Sequence, residues 1–99
     1  MDNLRYPIGK HDVMAPIDET ALAAAIATLR ELPSRLEAAV GSLDDSQLDT
    51  PYRPEGWTVR QVVHHLADSH LNAHTRLRLA LTEDAPVIRP YREAAWAEL

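Results

Sequence analysis

Ninety-nine residues with 10 Lys+Arg, 15 Asp+Glu and a formal charge of −5 make one small acidic domain at most, spanning 1–99. That balance argues against nucleic acid or an anionic membrane as the main partner, since both need a concentrated basic face. With no cysteine, disulfides, thiolate nucleophiles and thiolate metal sites are excluded, so any metal must be held by His, Asp or Glu.

The hydrophobic fraction of 45% overstates the core, because fifteen of those residues are Ala and none is Phe. Alanine favours helix but buries little area, so a stable monomer would be marginal. No apolar run approaches the roughly 20 residues that span a bilayer. The opening MDNLRYPIGKHD has no signal-peptide apolar region, so the expected compartment is the cytoplasm.

Residues 1–17 carry Pro7, Gly9 and Pro16 without periodicity and are expected to form an extended arm. Asp18 should cap a first long helix over 18–41, with Ile17 and Leu22 placed as a hydrophobic staple. Leu22, Ile26, Leu29, Leu32, Leu36, Val40 and Leu43 recur at spacings of three and four, one stripe of that helix. Pro33 removes a backbone donor inside it, which predicts a kink, or a break with Pro33 opening a second segment. Gly41 is placed to stop the helix.

A connector follows, with Asp44 and Gln47 spaced for a capping box around a short helical turn. Pro51, Pro54 and Gly56 mark irregular backbone next. The second long helix covers 58–82, opened by a Thr58/Gln61 capping box. Its apolar stripe is Val59, Val62, Val63, Leu66, Ala73, Leu77, Ala80 and Leu81. Trp57 and Tyr52 should plug its end, while Arg76 and Arg78 read as a solvated face. Pro86 and Pro90 force a loop, and 91–99 opens a third helix with Trp96 and Leu99 on one face. The class is all-α, with helices of bundle length and no persistent strand-like alternation.

The second long helix carries four of the five histidines: His64, His65, His70 and His74. On a wheel of about 100° per residue, His70 falls near the middle of the apolar face with His74 beside it. His65 sits at the other edge and His64 points away. A neutral imidazole is a ready zinc or nickel ligand, and spacing of four lets two rings on one helix reach one ion. Against this, His65 could be a boundary histidine bonded to a neighbour, and His70 could donate to a backbone carbonyl. His11 lies in the arm and says little. Asp68 could orient a ligand histidine but faces outward, as a plain surface acid would. Ser69, His65 and Asp68 diverge around the helix, so they are no triad. Three glycines make no phosphate-cradling loop.

Three runs, LRYPIGK, LDTPYRPEGWTVRQVVHHLADSH and LTEDAPVIRPYREAAWAEL, together resemble the YfiT-like metal-dependent hydrolases of the DinB-like superfamily over essentially the whole chain. The resemblance implies an up-down four-helix bundle, of which this chain would supply two long helices and the start of a third, roughly the N-terminal half. It implies one divalent metal, zinc or nickel, bound by three histidines: one on the second helix, which maps onto His65, and an H-x-x-x-H pair on the last helix. That pair has no counterpart in these residues, and His65 by itself makes less than a site. Two helices and a stub also leave apolar stripes uncovered, so copies are expected to pair as a homodimer.

The expected activity is hydrolysis with metal-bound water as nucleophile, on a small-molecule substrate that no motif specifies. Two alternatives stand beside it. One is a metal-dependent thiol S-transferase, which would suit a protein without cysteine. The other is a non-catalytic helical oligomerisation module with His65 as a relic.

Overall fold

A computed structural model describes residues 2–99; of the arm expected over 1–17, residue 1 lies outside the described residues. Five helices follow in chain order: α1 (Asp2–Arg5), α2 (Glu19–Val40), α3 (Asp45–Leu48), α4 (Val59–Thr82) and α5 (Glu93–Ala97). The described residues contain no strand, so the all-α class holds. None of these helices is long and apolar enough to cross a membrane. The chain divides into two compact units, 1–48 and 49–99.

In the first unit the arm is not simply extended. It opens with α1 and then closes a turn in which the Gly9 amide donates to the Tyr6 carbonyl at 3.0 Å. Gly9 takes φ +85°, a left-handed conformation that glycine reaches without strain. Arg5 and Lys10 stand over the Tyr6 ring, 5.3 and 5.0 Å from its centroid. Asp12 Oδ1 then accepts from the Met14 amide at 2.9 Å, the local turn that aspartate favours. These short-range bonds, rather than periodicity, fold the segment.

Asp18 caps α2 as its sequence position demands, its Oδ1 accepting from the Ala21 amide at 2.8 Å. Ile17 remains 83% exposed, so the expected staple with Leu22 covers little of it. The expected break at Pro33 is corrected: α2 runs unbroken through it for 22 residues. Proline removes one donor, the partner of the Leu29 carbonyl, while the surrounding Ala, Leu, Arg and Glu are strong helix formers. Gly41 does end the helix, but in a right-handed conformation (φ −61°), not the left-handed one that usually selects glycine. What selects it is space, since a Cβ there would meet the Glu37 carbonyl oxygen at 2.6 Å. The Asp44/Gln47 box forms around α3, with reciprocal bonds of 2.8 and 2.9 Å.

The second unit opens with an irregular loop pinned across its base. Tyr52 N–H donates to the Trp57 carbonyl at 3.0 Å, and Val59 N–H to the Thr50 carbonyl at 3.1 Å. Thr58 and Gln61 form the predicted capping box of α4, with bonds of 3.0 and 3.1 Å. The third helix is shorter than the 91–99 expected, occupying Glu93–Ala97 after a cap at Arg92 that makes no side-chain bond. It packs on α4. Gln61 Nε2 donates to Glu98 Oε1 at 3.2 Å, tying the start of α4 to the end of the chain.

The expected stripe of α4 is only half covered. Val59, Val62, Val63 and Leu66 are half-buried, whereas Leu77 and Leu81 remain 60% and 76% exposed. Towards the C-terminus the half-covered residues are Asn72, Arg76 and Leu79 instead. Arg76 is therefore not the solvated residue its neighbours implied: its Nη2 donates to the Arg89 carbonyl at 3.2 Å and holds the 86–92 loop to the helix. Arg78 is exposed as expected. No described residue is fully buried.

Candidate metal centre

His65 stands one and a half to two turns into α4, on the part of the helix whose neighbours are half-covered. The capping box and the bridged loop before it fix Trp57 directly ahead of the helix. The Trp57 ring meets His65 edge-on, with centroids 5.1 Å apart and planes at 74°. This contact gives the imidazole an apolar wall on one side. Trp57 thus acts against His65 and not only as a plug at the helix end.

The electronic consequence lies at Nδ1, which is buried and has no hydrogen-bond partner. A buried polar atom left unpaired costs about 1–3 kcal/mol, and native structures rarely leave one without a reason. With the proton on Nε2, Nδ1 carries a free lone pair, which is the donor a zinc or nickel ion takes from a neutral imidazole. The chemistry of this donor fits the divalent metal that the sequence resemblance implies.

The other histidines are differently placed. His70 is exposed, not central to a covered face, and its Nδ1 lies 2.7 Å from the Leu66 carbonyl oxygen. A carbonyl only accepts, so the proton sits on Nδ1 and the ring is oriented by its own helix. His74 Nε2 lies 3.5 Å from Arg78 Nη1, a long contact on an exposed surface. His64 is exposed, and His11 is exposed in the arm. Ser69 Oγ donates to the Leu66 carbonyl at 3.2 Å. Among the described residues, no three or more His, Asp or Glu come together as a metal cluster. His65 is a single candidate ligand, not a closed site.

Two features of this region escaped sequence reasoning: the edge contact from Trp57 and the tie from Arg76 to the Arg89 carbonyl. A signal existed for the first, since a tryptophan immediately before a capping box is pinned close to the first turns of its helix. None existed for the second, because its acceptor is a backbone atom 13 residues away.

Helix bundles build their metal and ligand sites from side chains on facing helices, and His65 is half-buried on such a helix with Nδ1 unpaired. The DinB superfamily profile matches residues 28–99, and the chain belongs to that superfamily. It is 54% identical over 99 residues to a "putative metal-dependent hydrolase" of Bacillus cereus strain B4264, covering all of this chain and 57% of that protein. The same figures relate it to a "putative metal-dependent hydrolase" of Bacillus anthracis strain A0248. Among solved structures it is similar to YfiT from Bacillus subtilis, with a TM-score of 0.91 and 56% identity over 98% of this chain and 55% of that one. YfiT is described as a probable metal-dependent hydrolase with an unusual four-helix bundle topology. The fold is accordingly part of a four-helix bundle, and the chain spans about half the length of the curated relatives it matches.

Proposed function

We propose that this chain carries one helix-borne part of a metal-dependent hydrolase centre, with His65 as a ligand of a zinc or nickel ion. The observation that carries the reading is the unpaired, buried Nδ1 of His65 against the edge of Trp57. The names of the relatives support the reaction class. A divalent ion held there would supply Lewis acidity, activating water and polarising a substrate carbonyl. The residues of this chain contribute position: the Thr58/Gln61 box sets where α4 begins, Trp57 limits the ring's rotation, and the helix directs the lone pair. A tight site needs three or four ligands, so the remaining ligands come from outside the described residues.

The exposure of the large apolar side chains Leu22, Leu29, Leu77 and Leu81 favours a second reading, a helical association module in which His65 binds nothing. Metal content per chain, measured for wild type, His65→Ala and His70→Ala in a form that supplies the remaining ligands (associated copies, or a longer protein that carries this chain), separates the two. The hydrolase reading expects bound ion in wild type and His70→Ala and a loss in His65→Ala. Equal metal content in all three proteins would overturn it.

A further inference from the structure

Within the second unit, the C-terminal half of α4 and the 87–96 segment enclose an open groove of about 500 Å³. That volume lies in the range of small-molecule sites, roughly 300–1,000 Å³. Its apolar lining includes Leu79, Ile88 and Trp96, and the Tyr91 and Trp96 rings pack tilted with centroids 4.7 Å apart. Its charge is one-sided. Arg76, Arg89 and Arg92 line it, and among the described residues no Asp or Glu does. Three of the chain's 10 basic residues therefore line one groove of a protein whose formal charge is −5.

None of these arginines is salt-bridged among the described residues. Arg76 uses one N–H on the Arg89 carbonyl, which leaves other donors of its planar fork unassigned. A guanidinium matches a carboxylate by two parallel hydrogen bonds, and low-polarity walls strengthen such a pair. Asn72 and Arg76, which line the groove, fall seven and eleven residues after His65, within about 20° of its direction on the α4 wheel. Seven residues rise about 10 Å, so a ligand lying along this face reaches from the groove towards His65.

We propose that this groove binds the carboxylate end of a small organic acid with an apolar body, and that such acids are the substrate class of the centre. The first half stands on the groove alone, while the word substrate rests on the hydrolase reading of His65. The arginines hold the anionic end, Trp96 and Ile88 cover the apolar body, and the remainder of the molecule lies along α4.

The test is calorimetric titration of metal-stripped protein with 4-phenylbutyrate and with its neutral amide, alongside amide-resolved NMR of residues 72–96. The acid should bind at least about tenfold more tightly than the amide, as expected for a charge-assisted bidentate pair, and shift the Trp96 indole N–H. The Arg89→Gln/Arg92→Gln double variant keeps the carbonyl that Arg76 uses, and should lose that preference with its helical circular dichroism unchanged. Equal binding of acid and amide, no binding of either, or shifts confined to other residues would overturn the groove. Because this readout uses no metal, it is independent of whether His65 is a ligand. In His65→Ala the groove should still bind the acid. Once metal is bound, hydrolysis of neutral esters as fast as carboxylate-bearing ones would overturn the substrate half alone.

Discussion

At the scale of single residues, His65 and His70 show how one helix can give two histidines opposite surroundings. His70 satisfies Nδ1 on the Leu66 carbonyl one turn back, while His65 leaves a buried nitrogen unpaired. The difference predicts opposite responses to substitution in metal-free protein. His65→Leu removes the unsatisfied atom and should raise stability by roughly 1 kcal/mol, whereas His70→Leu removes a made bond and should not. Chemical denaturation of both variants with a chelator present checks this, and destabilisation by His65→Leu would contradict it. Under the proposed ligand role of His65, Trp57→Ala should loosen the ring wall and speed the loss of bound ion to a chelator. Helix periodicity alone left His65 between ligand and boundary histidine, because it reports direction but not whether a ring nitrogen finds a partner.

At the scale of elements, the helices begin where their caps stand. Asp18, Asp44 and Thr58 each bond an amide in the first turn that follows. Thr58→Ala should cost about 1 kcal/mol and fray the part of α4 that bears His65, measurable as a lower denaturation midpoint. Pro33 is the opposite case, a helix-interior proline carried by its neighbours. Pro33→Ala should restore the missing donor to the Leu29 carbonyl and stabilise α2, by up to about 3 kcal/mol. Stronger helical circular dichroism and a higher midpoint are the expected outcomes, and an unchanged melt would show that the chain already accommodates the proline without cost. Local rules placed both ends of α2 and α4 well because capping bonds span only three or four residues. They left Pro33 open between a kink and a break, and the break does not form because propensity is summed over a whole helix, not decided at one position.

At the scale of the whole molecule, burial is sparse. Leu22, Ile26 and Leu29 of α2 are 53%, 46% and 56% exposed, and no described residue is fully buried. Conformational entropy opposes folding by about 1–2 kcal/mol for each ordered residue, and half-covered leucines offset little of it. This 99-residue chain by itself is therefore expected to self-associate, or to melt broadly without a cooperative transition. Light scattering together with a thermal melt at several concentrations reads both outcomes. A sharp, concentration-independent transition of a monomer would contradict the expectation.

Caps, turn chemistry and the all-α class were written in the sequence, because each depends on interactions between residues a few positions apart. The DinB-like pattern and the candidacy of His65 were legible in the run around Trp57 to His70 for the same reason, since their order along the chain is the signal. Only the tertiary structure decided that Trp57 abuts His65, that Nδ1 is left unpaired, and that Arg76 holds the Arg89 carbonyl. It also decided which face of α4 is covered towards its C-terminus. There the 87–96 segment borders a groove with Asn72, Arg76 and Leu79 and is tied to Arg76 through the Arg89 carbonyl, while the apolar Leu77 and Leu81 stay exposed. Helix periodicity shows which residues share a face, but the segments that pack against it select the face that is covered.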